Sequence, residues 1–195
     1  HMGEVFVTGP DSTKYLNYLL TSNVEKQTNN RMQYGMALYE NGTIVDDLMI
    51  YKYNDEKYLI VVNASNTDKD YDWFVKNIND YNVKVENKSD SFSQLALQGP
   101  KAYEILNKLS DYDFDNMKFY DFKDVIIDGK EFICSRSGYT GGDGFEIYGY
   151  IGNDKRVVLY DDYLSIISIG ETDNVHLENE NDRFIKGSGP DDFCD

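Results

Sequence analysis

Two windows of this chain, 90 residues apart, carry the same punctuation. Val7-Thr8-Gly9-Pro10 leads to Leu16-Asn17 and Leu19, and Leu97-Gln98-Gly99-Pro100 leads to Leu106-Asn107 and Leu109. Each window reads as a strand, a Gly-Pro break and a helix with proline at its first position, where the missing N–H costs nothing. Each then continues into a β-hairpin, turning at Asn41-Gly42 in the first copy and Asp128-Gly129 in the second, both strong turn dipeptides. A chain written twice in this way folds as two similar halves, about 1–88 and 89–170. A groove between such halves is a natural ligand site.

Hydrophobic periodicity fills in the elements. Strands are expected at 4–8, 32–39, 43–53, 57–63, 82–87, 92–98, 118–127, 130–136 and 144–150. Helices are expected at 10–21, 66–79, 100–109 and 155–166. Within 43–53, Met49, Tyr51 and Tyr53 alternate with Ile50 and Lys52, so one face of that sheet is either solvated or lines a site. Split β-α-β units with hairpins imply an α+β fold with largely antiparallel sheets and helices packed on the sheets. After Ile169 the periodicity stops. Residues 171–195 hold eight acids and two bases and end near Gly187-Ser188-Gly189-Pro190, a composition that reads as a disordered acidic tail.

The net charge of −16 argues against nucleic acid and anionic membranes as partners. The chain contains no apolar run of roughly eighteen residues, the length a spanning helix needs, and no signal peptide is visible; a cytoplasmic location is expected. Cys134 and Cys194 do not make a disulfide framework, and Cys134 reads as a core thiol. His176 has no partner at metal-ligand spacing, so no metal site is expected. Trp73, beside Tyr71 and Phe74 on the second helix, reads as core packing.

The segment 135–149, Ser-Arg-Ser-Gly-Tyr-Thr-Gly-Gly-Asp-Gly-Phe-Glu-Ile-Tyr-Gly, is the densest motif. Gly138, Gly141, Gly142 and Gly144 permit positive φ and a close approach of backbone to a ligand. Arg136 reads either as a charged ligand clamp or as a strand-end arginine reaching solvent. The segment resembles the Ser-Arg-Thr-Gly-Tyr-Thr-Gly-Glu-Asp-Gly-Phe-Glu signature of the aminomethyltransferases, the T-proteins of the glycine cleavage system, with Gly142 in place of an acid. His1-Met2-Gly3-Glu4-Val5 is similar to the family's Ser-His-Met-Gly-Glu, though His-Met at a chain start is also what a cloning scar leaves. Asn41-Gly42-Thr43-Ile44-Val45-Asp46-Asp47-Leu48 resembles its Gly-x-Ile-x-Asp-Asp-Leu hairpin, and Val61-Val62-Asn63-Ala64 its Val-Val-Asn-Ala segment. Ordered matches of this kind are more specific than a single glycine motif.

Taken alone, Asp46-Asp47 is a hairpin acid pair whose side chains point to opposite sheet faces, with at least one pKa expected to be raised by the apolar strand. Asn63 alone is equally a turn cap, and Tyr34 one packing tyrosine among many. The resemblance implies more. It makes Asp47 the catalytic acid and sets Tyr34, Asn63, Tyr139, Glu146 and Met2 around a tetrahydrofolate substrate. The implied reaction moves a methylene unit from the aminomethyl-lipoyl arm of H-protein to tetrahydrofolate, with release of ammonia. Asp47 would stabilise the iminium-like carbon, Glu146 would hold the pterin edge, and Asp46 would matter much less. The resemblance also implies a fragment lacking the family's N-terminal segment and C-terminal barrel, with Thr172 where the family has a folate-contacting arginine. The alternative is a non-catalytic folate-binding or protein-interaction module.

Overall fold

The computed structural model describes residues 2–150 and, beyond them, the backbone of the strands Val157–Asp161 and Leu164–Ile169. In chain order the elements are β1 (Met2–Thr8), α1 (Ser12–Leu19), β2 (Arg31–Leu38), β3 (Ile44–Asn54), β4 (Lys57–Asn63), α2 (Thr67–Lys76) and β5 (Lys84–Asn87). There follow β6 (Phe92–Gln98), α3 (Ala102–Leu109), β7 (Phe122–Ile127), β8 (Lys130–Ser135), β9 (Gly144–Tyr150), β10 (Val157–Asp161) and β11 (Leu164–Ile169). The first sheet has the order β2-β3-β4-β1-β5. The second, read from its β7 edge, has the order β7-β8-β9-β6. Without β5 the two orders are the same, and every pairing is antiparallel. The α+β class, with hairpins and antiparallel sheets, is as expected.

The repeat holds atom by atom at the 90-residue spacing. Gly9 and Gly99 take φ of 128° and 120°, and their carbonyls accept from Ser12 N and Ala102 N, each at 3.1 Å. Asn17 Oδ1 accepts from Val24 N (2.8 Å), and Asn107 Oδ1 accepts from Phe114 N (3.2 Å). These asparagines pin the 3-10 turns Val24–Lys26 and Phe114–Asn116 beneath the helices. Asn30 and Tyr120 both take positive φ, 60° and 67°. At that point the copies meet reciprocally. Phe122 N donates to Asn30 O (3.0 Å), Met32 N donates to Tyr120 O (2.7 Å), and Arg31 pairs with Asp121 between them.

Strand alternation sorts the side chains into layers. Val5, Val7, Leu48, Ile50, Ile60 and Val62 face α1 and α2, while Phe132, Cys134, Phe145 and Ile147 face α3. The other faces of the two sheets meet each other: Phe6, Tyr51, Leu59 and Val61 pack on Phe122, Ile133 and Tyr148. The Met49-Tyr51-Tyr53 face is therefore mostly a sheet-to-sheet interface, with Tyr51 and Tyr148 at its dry centre. Cys134 is fully buried, and burial pushes its thiol far up. Trp73 packs on the helix-side core.

Two of the expected elements differ in the structure. The helices start at Ser12 and Ala102, two residues after Pro10 and Pro100, which sit in the preceding turns. Within the helix expected over 155–166, the described residues are strand: β10 and β11 pair antiparallel, from Val157 opposite Ile169 to Asp161 opposite Leu164. Val157, Val158, Ile166, Ile167 and Ile169 are β-branched, and such residues favour strands. The expected acidic tail 171–195, with Thr172, His176 and Cys194, lies outside the described residues.

Candidate active site

β3 leaves its hairpin with Asp46 and Asp47 on opposite faces, as alternation requires. Asp46 is buried and Asp47 exposed. The two are nevertheless joined. Asn63, at the end of β4, donates from Nδ2 to Asp46 Oδ1 at 3.0 Å and to Asp47 Oδ1 at 3.1 Å. It stands at the cap of the turn Ala64–Asn66, but its side chain caps nothing. Tyr34 in β2 donates its hydroxyl to Asp47 Oδ2 at 2.8 Å, and that bond raises the phenol pKa above its ordinary value. Both Asp47 oxygens are thus oriented by neutral donors while the carboxylate stays open to solvent.

The raised carboxyl expected in the Asp46–Asp47 pair is not Asp46. Burial works to raise Asp46, but hydrogen bonds from Asp70, Asn63 and Asn66 outweigh it and hold it below the usual carboxylate range. The group pushed up is Asp70 on α2, to about 7, by burial and by its contact with Asp46.

The second sheet contributes a different network. Glu146 on β9 accepts from Gln94 Nε2 at 3.0 Å and from Ser137 Oγ. Gln94 also reaches the Tyr148 hydroxyl (3.1 Å), which is 3.0 Å from that of Tyr51. Ser135 bridges Tyr51 at 3.2 Å and Ser137 at 3.0 Å. A hydrogen-bonded chain therefore runs from Tyr51 in the first half to Glu146 in the second. Asp47 and Tyr51 lie on one face of one strand, four residues and so about 13 Å apart. Met2 sits half-buried on β1, opposite Asn63 in register, against the intersheet core. Two residues on, Glu4 is buried with neither carboxyl oxygen hydrogen bonded, and burial lifts its pKa to about 8. Tyr139 is fully exposed at the tip of its loop, yet near enough to Tyr34 to raise its pKa further.

Of the six residues singled out from the sequence, Tyr34, Asp47 and Asn63 are bonded in one cluster. Glu146 anchors the second network, while Met2 and Tyr139 make no hydrogen bond to either. Glu4, Tyr51, Gln94, Ser135, Ser137, Tyr148 and Asp70 were not singled out. The period-two spacing of 47, 49 and 51, and of 146 and 148, is the signal that could have found the strand members. A groove of about 500 Å³ opens along the same intersheet face, lined among others by Phe6, Tyr53, Phe92, Tyr148 and Tyr150, but neither Asp47 nor Glu146 lines it. Among the described residues, no group of three His, Cys, Asp or Glu side chains could hold a metal ion.

In the glycine-rich loop, Gly141 alone of the four takes positive φ, 71°. Gly138 and Gly144 serve another purpose. A Cβ on them would lie 1.8 Å and 2.5 Å from the Gln98 side chain. Gln98 threads between them to donate to Ser137 O (3.0 Å) and Phe145 O (3.1 Å). These glycines admit a side chain of the protein itself. Gly142 neither takes positive φ nor meets a close neighbour. Arg136 turns back onto its own loop rather than out to solvent. Its guanidinium forks onto Asp143, Nε to Oδ1 at 3.0 Å and Nη2 to Oδ2 at 2.7 Å, and also donates to Met117 O and Tyr103. The fork pins both ends of the loop and holds the Asp143 carboxyl down at about 2.

A family model described as the GCVT N-terminal domain matches residues 1–173. An aminomethyltransferase of Listeria monocytogenes serotype 4b is 48% identical over 181 residues, which make up 91% of this chain and 50% of the relative. One from Alkaliphilus oremlandii is 48% identical over 172 residues, 88% of this chain and 45% of the relative. The chain thus spans about half the length of the curated relatives it matches. Among solved structures, the glycine cleavage system aminomethyltransferase T of Bartonella henselae superposes with a TM-score of 0.70 at 30% identity, covering 78% of this chain and 40% of that one. A heterotetrameric sarcosine oxidase from Corynebacterium sp. U-96 shares the fold alone, with a TM-score of 0.53 at 12% identity over 76% of this chain and 71% of that one.

Proposed function

Since this chain belongs to the GCVT N-terminal domain family, we propose that it supplies the folate-binding wall and the catalytic acid of an aminomethyltransferase. Residues 1–170 form the folate-binding domain in this reading, with the halves 1–88 and 89–170 on either side of the ligand, and 171–195 form an acidic tail. Tetrahydrofolate is the acceptor and aminomethyl-lipoyl H-protein the donor. The C–S and C–N bonds of the donor break, and two C–N bonds form to N5 and N10 of the folate. The protons those nitrogens lose go to the departing amine and sulfur, giving ammonia and dihydrolipoyl H-protein.

The carbon in flight is iminium-like and cationic. A carboxylate held beside it by fixed donors lowers the barrier without reorganising. The observation that carries this reading is the Asp47 carboxylate, open to solvent with Oδ2 held by Tyr34 and Oδ1 by Asn63. Glu146 presents two acceptor oxygens, suited to the paired N–H donors of an amino-pyrimidine edge; Gln94 and Ser137 hold them in its absence. Tyr139 and Met2 supply apolar walls. The proposed setting is the cytoplasm; among the described residues, no helix is long and apolar enough to cross a membrane.

Titration with tetrahydrofolate, followed by Trp73 fluorescence and thermal shift, tests binding. Ammonia release from loaded H-protein tests turnover. Saturable binding with turnover supports the enzyme; binding without turnover supports a non-catalytic folate module; no shift at millimolar tetrahydrofolate removes the folate reading.

A further inference from the structure

We propose that Asp70, in the first turn of α2, is a positioning residue for Asp47: it donates a proton-bearing carboxyl to Asp46 and thereby keeps Asn63 anchored against Asp47. The assignment of Asp47 as the reacting acid rests on the function proposed above; the coupling of Asp70 to Asn63 does not.

The geometry begins with a contradiction. Asp70 is fully buried, and neither of its carboxyl oxygens receives a hydrogen bond from an N–H or O–H. Lys69 Nζ donates to Val45 O at 2.5 Å and forms a longer ion pair, 3.5 Å, with Asp70 Oδ1. The other polar group against the Asp70 carboxyl is the carboxyl of Asp46. Two ionised carboxylates are acceptors only, so the pair can be bonded only with a proton between them. Asp46 already accepts from Asn63 Nδ2 and Asn66 Nδ2, both at 3.0 Å, and from Asn63 N at 3.4 Å, which are bonds of a carboxylate. The proton therefore sits on Asp70. Burial and Asp46 push Asp70 up to about 7, in agreement.

Asp46 becomes an anion with four donors, and its side chain is held in one place. Asn63 is thereby held too, and its Nδ2 is the group that touches Asp47 Oδ1 at 3.1 Å. The two acids of the hairpin thus act as a unit through one amide, although they face opposite sides of the sheet. The charged groups acting on Asp70 are Asp46 of β3, which keeps the proton on, and Lys69 of its own helix, which favours its loss. As pH rises through about 7 the proton leaves and two anions face each other in a buried space. The Asn63 anchor then loosens.

The test uses the 195-residue chain, with the Asn63 side-chain amide followed by NMR in parent, Asp70→Asn and Asp70→Val. Asparagine keeps an N–H donor toward Asp46 and is expected to leave the Asn63 signals and their slow exchange unchanged. Valine removes the donor and is expected to shift the signals and speed their exchange roughly tenfold or more, the scale of one lost hydrogen bond to a charged group. Should valine unfold the chain, the parent alone decides: raising pH through the Asp70 titration must move the Asn63 signals in the same way. The proposal is overturned if a folded Asp70→Val leaves Asn63 as in the parent, if Asp70→Asn behaves like Asp70→Val, or if Asn63 does not respond to the Asp70 titration. An intact coupling in a chain that fails the tetrahydrofolate titration would remove the proposed function and leave the network standing.

Discussion

Glu4 sets a pH dependence that one substitution should erase. Its carboxyl is buried on the intersheet face without a hydrogen-bond donor, so the folded protein keeps it protonated up to about pH 8, against 4.5 in the open chain. Between those values the folded state holds a proton that the unfolded state has released. Stability must then fall as pH rises, by at most about 1.4 kcal/mol per pH unit from this group. From about pH 5 to about pH 7.5 that amounts to about 3 kcal/mol, or roughly 10 °C in Tm for a chain of this size. Glu4→Gln is neutral at every pH. Any penalty for its extra amide N–H groups is a constant offset, so the diagnostic is the slope. Thermal unfolding across this range should show the parent's Tm falling more steeply than the variant's, the two curves separating by roughly 10 °C at the upper end. Parallel curves would mean that Glu4 finds a donor or solvent in the folded protein, and the buried neutral acid would have to be abandoned.

The other substitutions address the site and its loop. In a version of the protein extended to the family's length, Asp47→Asn should keep tetrahydrofolate affinity and lose turnover by roughly a hundredfold or more, the scale of one preorganised charge. Glu146→Gln should weaken folate binding first, and calorimetric Kd beside kcat separates the two outcomes. Gly138→Ala would drive a methyl into Gln98 and break its two bonds to Ser137 O and Phe145 O. The expected loss is about 1–3 kcal/mol by urea titration, much smaller when Gln98 is already alanine. Arg136→Lys replaces a fork by a point charge. Asp143 stabilises the fold above its ordinary pKa of 3.8 and stops doing so as pH falls toward about 2. The variant's loop amides at 138–144 should therefore lose hydrogen-exchange protection at a higher pH than the parent's.

Local signals were the readable ones. The Gly-Pro breaks, the Asn-Gly and Asp-Gly turns and the strand alternation each act within a few residues, and they carried the duplicated α+β plan. The helix expected over 155–166 failed because short apolar runs do not distinguish helix from strand by spacing; the β-branched content was the better guide. The need for glycine at 138 and 144 was not legible, because the side chain that requires it comes from Gln98, forty residues before Gly138. Asp70 was invisible for a similar reason. In sequence it is an acid in the first turn of a helix, where the dipole welcomes it, and only the fold brings it against Asp46. Tyr51 and Tyr148 were one phase of an alternation, and nothing local says that two such faces stack on each other.

The reciprocal contact between the halves has a consequence for what the chain avoids becoming. Arg31 and Asp121 occupy equivalent places in the two copies and face each other across their junction, flanked by matching backbone bonds. Two molecules offering the same half to one another about that axis would set arginine against arginine, or aspartate against aspartate, and like charges directly opposite are repelled. Only the mixed pairing, one half of each kind, closes with an attraction. The difference between the copies at this position therefore turns each half away from its own likeness, and disfavours any assembly between molecules that would pair like with like.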